Sequence, residues 1–461
     1  MSKSFMGVRL RRLREERGMT QAALARCLGI SPSYLNQIEQ NQRPLTVPVL
    51  LRLNEAFGLD VQLFSDRDEA RLIADLRAAL ADQGAGASLA EVRELAANMP
   101  GIARTIVAMQ RRLRETSERA DLLAGRLSTP TGATPAAFEA VRDWFYDRRN
   151  YVAELDEAAE AIGGALPRGA MVAGLVDRLA QSGVRFALDA SGQSLRRFDA
   201  PARLLQVAAH LAPGQQAFQI ATQLAFLEQG EAIRRLADDP RLQPDAQALL
   251  RIGLANYFAG ALILPYGSFL ETAEASGYDI ELVARAFGVG FETACHRLST
   301  LQRPDARGVP FFFIRVDRAG NISKRQSATD FHFSRIGGSC PLWNIYEAFA
   351  RPGEILRQVA QMPDGRSYLW IARTVHHGQG GFGAPVKGFA VAVGCDLTHA
   401  DRLVYARGLD LRNPGIATQI GPGCKLCERP GCPQRAFPMV ARPLAVTEGE
   451  ARFAPYSAGA G

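Results

Sequence analysis

Two helix-start signals eleven residues apart constrain the first part of this chain more tightly than anything else in it. Thr20 is a hydroxyl N-cap ahead of Gln21, and the apolar run Ala22, Leu24, Ala25, Leu28 ends at Gly29, a C-cap residue. Ser31 then caps a second helix with Pro32 in its first turn, and Leu35 and Ile38 supply its buried face. Two short helices joined by a glycine-containing turn, the second presenting Ser33, Tyr34, Asn36 and Gln37 outward, make a helix-turn-helix. Ahead of it, Arg9, Arg11, Arg12, Arg14 and Arg17 crowd one short helix, Val8 to Arg17. Residues 1–65 carry nine Lys and Arg against five Asp and Glu, a net of +4 out of the chain's +7. A basic helix beside a polar one is the electrostatic footprint of a DNA-binding module. Cys27 is expected on the buried side of its helix.

The string T-Q-A-A-L-A-R-C-L-G-I-S-P-S-Y-L-N-Q-I-E-Q-N-Q-R-P at 20–44 closely resembles the phage-repressor (Cro/C1, or XRE) family. That resemblance implies an all-α DNA-binding domain over residues 1–65. It places Gln21, Asn41 and Arg43 on phosphates, and Ser33, Tyr34 and Gln37 at base edges in the major groove. Ser31 and Asn36 belong to the same interface.

The remaining length allows about two further domains in a chain of 461 residues. Apolar residues make up 47% and charged residues 22%, which excludes wholesale disorder and fibrous repeats. Only four of the 54 basic residues are lysine, a bias so uniform that it reflects base composition. Residues 1–20 hold five Arg and a Lys with no apolar core, so no secretory signal is expected. The stretch Leu254 to Phe269, broken by Asn256 and Pro265, is too short for a membrane span. A cytoplasmic protein without membrane attachment is the expectation.

Residues 66–136 read as a helical connector. Leu72, Leu76 and Leu80 recur at four-residue spacing, a Gly/Ala/Ser break follows at 84–88, and Ile102, Ile106, Met109 and Leu113 keep a 4-3-4 rhythm. Such a seam fits either dimerisation or packing on the protein's own core. The run 128–135 (S-T-P-T-G-A-T-P) reads as a linker.

Residues 137–302 read as mostly helical. The segment 218–226 (F-Q-I-A-T-Q-L-A-F), with 254–265 downstream, resembles the zinc-peptidase-like domain that often follows such helix-turn-helix modules. Active members carry H-E-x-x-H there, two zinc-binding His one helical turn apart with Glu as general base. The matching positions here are Thr222, Gln223 and Phe226, and the glutamate ligand's position is Leu254. Without ligands neither zinc nor an activated water is held, so a degenerate scaffold rather than an enzyme is expected. A second helix-turn-helix-like run at 279–301 has few polar positions and is expected to pack rather than bind DNA. Its neighbours Cys295 and His296 diverge on a helix and make no metal pair.

Residues 303–461 shift to strand-rich, α+β composition. Phe311 to Asp317 runs into an Ala-Gly-Asn turn, and Arg366 to Val375 and Val386 to Val393 are further strands. The literal G-x-G-x-x-G at 378–383 precedes Pro385 and a strand, where a dinucleotide site needs a helix, so it reads as a hairpin loop. Cys424, Cys427 and Cys432 fall within nine residues and form a candidate metal loop. Cys395 is preferred over Cys340 as fourth ligand for its nearness in sequence. The spacing alone fits zinc or an iron–sulfur cluster, and Pro433 after the last Cys favours the latter.

The whole chain is similar to the short-chain fatty acyl-responsive transcriptional regulators. S-C-P-L-W at 339–343, G-C-D-L-T-H-A at 394–400 and C-K-L-C-E-R-P-G-C-P-Q-R-A-F-P at 424–438 carry the resemblance in the last third. It implies a multidomain protein with an all-α helix-turn-helix domain, a mostly helical middle and an α+β sensor domain. It further implies a homodimer on double-stranded operator DNA, an acyl-CoA effector from propionate, methylcitrate or acetate-type metabolism and, as in some relatives, a [4Fe–4S] cluster. Two other classes remain to be weighed. One is a metalloprotease-type anti-repressor, for which Gln223 in place of Glu is the discriminating residue. The other is an antitoxin-like DNA-binding protein with a protein partner.

Overall fold

The computed structural model describes residues 7–40, 42–57, 66–82, 87–125, 135–191, 194–329, 331, 340–378, 383, 386–424, 427–429, 431–438 and 449. It divides into two compact units, one built on Met1–Leu123 and the other on Ala124–Phe333 with Gly338–Gln434. Asn41 and the linker around 128–134 lie outside the described residues.

In the first unit, α1 (Gly7–Glu16), α2 (Gln21–Cys27), α3 (Pro32–Glu39) and α4 (Val47–Phe57) enclose Leu10, Leu24, Leu28, Leu35, Ile38 and Leu53. The caps fall where the sequence puts them. Thr20 accepts from the Ala23 amide, Ser31 accepts from the Tyr34 amide, and Gly29 takes the left-handed φ of 61° just past the C-cap of α2. Cys27 corrects the expectation, because it is exposed. The buried arc of α2 runs through Leu24, Ala25 and Leu28, and at about 100° per residue Cys27 falls outside it.

Three more helices follow, α5 (Asp66–Asp82), α6 (Leu89–Asn98) and α7 (Pro100–Gly125), around Leu72, Leu76, Val92, Ala96 and Ala103. A capping box, Ser88 with Glu91, starts α6. Only part of the seam on α7 is used internally. Ile106 packs on this small core, while Ile102, Met109 and Leu113 are 54%, 65% and 54% exposed.

The second unit opens with α8 (Pro135–Asp147), α9 (Ala153–Gly163) and α10 (Met171–Gln181). A three-stranded sheet that the sequence reading lacked comes next: β1 (Arg185–Asp189), β2 (Arg196–Asp199) and β3 (Leu204–Ala208). Its order is β1-β3-β2, with β1 parallel and β2 antiparallel to β3. Then come α11 (Pro213–Glu228), α12 (Gly230–Ala237), α13 (Pro244–Ile263), α14 (Tyr266–Ala275), α15 (Ile280–Ala286) and α16 (Phe291–Leu298). Helix α13 is apolar and long enough to cross a bilayer by length and composition, but it is the central helix here, with Leu250, Leu254, Phe258 and Leu262 wholly buried. The second helix-turn-helix-like run is α15 and α16, and Ile280, Val283, Phe291, Ala294 and Leu298 bury it in the same core.

The last part is a six-stranded sheet of order β5-β4-β8-β7-β6-β9. Its strands are β4 (Phe312–Val316), β5 (Ile322–Ser327), β6 (Leu356–Gln361), β7 (Ser367–Gly378), β8 (Val386–Asp396) and β9 (Thr418–Gln419), with α17 (Asn344–Glu347) between β5 and β6. All neighbours are antiparallel except β6 and β9. Gly378 pairs with Val386, so G-x-G-x-x-G belongs to the β7–β8 hairpin. Alternation along each strand sends successive side chains to opposite faces. Val391, Val393 and Cys395 face the helices, while Ala390 and Ala392 face an aromatic core of Phe312, Phe331, Trp343, Tyr368 and Trp370. Gly394 has to lack a side chain, since a Cβ there would sit 2.2 Å from the Phe312 ring. The helix-side core runs without interruption from Trp144 to Leu403, so the helical and sheet regions on either side of residue 302 share one interior.

Candidate functional sites

The helix-turn-helix is held by a buried polar clasp. Arg14 of α1 bonds Glu39 at the end of α3 through Nε (2.7 Å) and Nη2 (3.1 Å), and the Glu39 side chain is only 1% exposed. The hydrogen bond it donates to Glu39 makes the Arg14 guanidinium hold its proton more firmly than usual. Gln21 completes the clasp, donating to Glu39 Oε2 (2.8 Å) and Asn36 Oδ1 (3.1 Å). The first residue of α2 is thus tied to the third helix, which fixes the angle between them. Ser31, Ser33 and Asn36 are exposed and Tyr34 and Gln37 half-buried on α3, and the Arg43 guanidinium lies 5.7 Å from the Tyr34 ring centroid. Glu39 was not singled out from sequence, and Arg14 only as one of five arginines on the first helix, because a clasp between residues 25 apart leaves no periodic signal.

In the second unit, α11, α13 and α16 meet one face of the β5-β4-β8-β7 sheet around a cavity of about 1160 Å³. The positions where a zinc peptidase carries its motif lie beside it on α11. Thr222 donates to the Phe218 carbonyl (2.7 Å), and Gln223 and Leu254 are buried. Five cations line the cavity, Arg297, Arg315, Lys324, Arg373 and Lys387, against the single carboxylate of Glu292.

Their partners differ. Arg297 forks onto buried Asp156 (2.6 and 3.1 Å) and donates to the Leu264 carbonyl, and Tyr257 donates to Asp156 at 2.6 Å. That cation belongs to the scaffold. Arg315 bonds Glu292 (2.7 Å), and Arg373 bonds Glu281 (2.6 Å). Burial works against the charge of Glu292, but the His377 hydrogen bond and the charges of Arg315 and Lys324 outweigh it and hold the carboxyl below its usual range. Burial pushes the Lys324 ammonium down to about 8 and keeps His296 neutral, its Nε2 buried with no hydrogen-bond partner among the described residues. None of these lining cations was read from sequence. They come from one helix and four strands, and the available signal was a lone Arg or Lys breaking an apolar strand, as at Phe312-Phe313-Ile314-Arg315-Val316.

The cysteines divide between the two faces of the sheet. Cys395 is wholly buried on the helix side of β8, whereas Cys340 lies in the aromatic core on the other face. Burial lifts the Cys340 thiol to about 11. The amides of Leu342 and Gly421 bond it, and Cys424 and Cys427 are close enough to act on it electrostatically. Gly421 admits this loop, because a Cβ there would lie 2.5 Å from Cys427 Sγ. Cys340, Cys424 and Cys427 therefore share one neighbourhood that excludes Cys395, and Cys432 is half-buried nearby in sequence. A metal centre needs such donors closing on one point, and among the described residues no three His, Cys, Asp or Glu side chains do so.

A helix-turn-helix module, followed by a unit that encloses a cationic cavity, is the anatomy of a ligand-responsive transcriptional regulator. Three matched regions agree with it: a helix-turn-helix domain over residues 6–66, an IrrE N-terminal-like domain over 181–299, and the short-chain fatty acyl coenzyme A regulator C-terminal domain over 300–456. The chain belongs to the family of short-chain fatty acyl-CoA transcriptional regulators. It is 51% identical to the HTH-type transcriptional regulator PrpR of Mycobacterium tuberculosis, covering 99% of this chain and 96% of that protein. It is 43% identical to the propionyl-CoA carboxylase regulator of Cereibacter sphaeroides, covering 98% of each. A solved structure titled Mycobacterium tuberculosis transcriptional regulator matches with a TM-score of 0.68 and 51% identity, over 70% of this chain and all of that one.

Proposed function

We propose that the protein regulates genes of short-chain acyl-CoA metabolism by binding an acyl-CoA in the 1160 Å³ cavity and operator DNA through α2 and α3. The observation that carries this reading is the charge of the cavity, five cations to one carboxylate. A CoA thioester brings several phosphate charges on a long, mostly neutral arm. Arg373 and Lys387 suit the phosphates, and the apolar lining of Phe218, Phe291 and Phe389 suits the arm. The helical region acts as a binding scaffold and not as a peptidase, since positions 222, 223, 226 and 254 offer no metal ligand.

The division into 1–65, 66–136, 137–302 and 303–461 assigns DNA reading, dimerisation, a degenerate peptidase-like scaffold and effector sensing in turn. Ser33, Tyr34 and Gln37 read base edges, with Ser31 and Asn36 beside them, and Gln21, Asn41 and Arg43 hold phosphates. A cytoplasmic homodimer joined along α7 covers two half-sites about one helical turn apart. An iron–sulfur cluster, if the chain holds one, takes Cys424, Cys427 and Cys432 with Cys340 in place of Cys395, which the sheet puts on its other face. Family resemblance and the shared neighbourhood of Cys340, Cys424 and Cys427 support that set.

Footprinting on the protein's own genomic neighbourhood, with and without propionyl-CoA, acetyl-CoA and free CoA, tests the reading. Protection whose strength changes with an acyl-CoA, and loses that change in Arg373→Ala, is expected. Protection indifferent to every acyl-CoA would leave a DNA-binding protein of the antitoxin type.

A further inference from the structure

Two of the chain's four lysines, Lys324 and Lys387, line this one cavity. Everywhere else arginine supplies the charge almost without exception, including three positions of the same wall. An ammonium offers what a guanidinium does not: a proton that leaves near neutral pH and a nucleophilic nitrogen behind it.

The two lysines sit differently. Lys387 is exposed near the hairpin end of β8, paired in register with His377. Lys324 lies within β5, directly across from Arg315, with its Nζ 5.9 Å from the Phe313 ring centroid. Among the described residues no carboxylate closes on it, because Glu292 is taken up by Arg315 and His377. Arg315 from β4 and Glu292 and His296 from α16 are the charged and titratable groups around it.

We propose that Lys324 is an acyl acceptor, its amine attacking the thioester carbonyl of a short-chain acyl-CoA held in the cavity. This rests on the acyl-CoA reading above. The neutral nitrogen forms a bond to the carbonyl carbon, the carbon–sulfur bond breaks, and the CoA sulfur leaves as a thiolate. The proton displaced from nitrogen passes by way of solvent or Glu292 to that thiolate. The products are an N-acyl-lysine and free CoA, with no oxidant or reductant required. Burial favours the neutral amine, which at a pKa of about 8 is about a tenth of the population at pH 7. Arg315, facing Lys324 across the strand pair, supplies positive charge beside the oxyanion of the tetrahedral intermediate. Acylation removes a cation from the cavity and persists after the effector leaves, so the regulator keeps a record of past acyl-CoA exposure.

The test is mass spectrometry of the intact and then digested full chain after incubation with propionyl-CoA. One propionyl group per chain, on Lys324, is expected, forming about five- to tenfold faster at pH 8 than at pH 7 as the amine deprotonates. Lys324→Arg should lose the adduct yet still bind a thioether analogue of propionyl-CoA in calorimetry. The site distribution in the wild type decides the matter even if that variant fails to fold. An unmodified Lys324 in protein that binds the analogue, or equal labelling of Lys3, Lys324, Lys387 and Lys425, overturns acylation and leaves effector binding standing. Failure of the analogue to bind overturns both.

Discussion

At the scale of single residues, the proposed DNA surface gives the half-buried Gln37 and the exposed Arg43 different work. Gln37→Ala should weaken operator binding by about 1–3 kcal/mol with little effect on random DNA. Arg43→Ala should weaken both alike and flatten the salt dependence, as fluorescence anisotropy over a salt series would show. In the cavity, Lys324 sets a pH dependence of its own. Its ammonium is disfavoured by burial and favoured by a bound anion, so binding draws a proton onto it. Below about pH 8 the proton is already present; above that value it has to be taken up. Affinity for the thioether analogue should therefore fall as pH rises from 8 to 9.5, and Lys324→Arg should remove that fall. The thiols make a third case. Cys340→Ser should abolish any absorbance near 400 nm of anaerobically purified protein, and Cys395→Ser should leave it. The reverse pattern would restore Cys395 to the ligand set.

Among the elements, α7 shows most directly what local pattern can and cannot say. Its spacing predicts a helix with an apolar seam, and the helix is there. Whether that seam meets the chain's own core or a second copy depends on neighbours, and α5 and α6 cover Ala103 and Ile106 but leave Ile102, Met109 and Leu113 outside. Met109→Glu with Leu113→Glu should shift sedimentation toward the monomer while leaving helical content unchanged, since both side chains already face water. The caps at Thr20 and Ser31 were legible because a cap is a contact within three residues. The small sheet of β1, β2 and β3 was not. Its strands are four or five residues long, and β1 and β2 mix charged with half-buried positions, so no period of two stands out. The place of the fourth thiol was hard to read for another reason. Proximity along the chain favoured Cys395, but which face of β8 a residue takes depends on register, and that side is decided by pairing with β4 and β7.

Taken whole, the unit from α8 to the thiol loop has one helix-side interior. The buried Asp156–Arg297 pair ties α9 to α16, and Arg303 of the following segment reaches both Asp156 and Glu160. Asp156→Ala would leave Arg297 buried without its partner and should cost about 3–5 kcal/mol in urea unfolding. A fragment of residues 303–461 should not fold alone, because β4, β7 and β8 would expose Phe313, Ile371, Val391 and Val393 to water; its circular dichroism should lack the native sheet signal. The alternation along β8 reaches further still. Odd-numbered positions such as 389, 391 and 393 serve the cavity and the helices, and even-numbered ones such as 390 and 392 serve the aromatic core. The strand behaves like a reading frame. A substitution is read in one compartment only, so effector preference can drift at odd positions without disturbing the aromatic side. Deleting one residue at the start of the strand inverts every assignment after it, sending valines into the space of alanines and Cys395 toward the other thiols. A change of length is therefore expected to be tolerated in the hairpin before the strand, and change inside the strand only as one-for-one exchange.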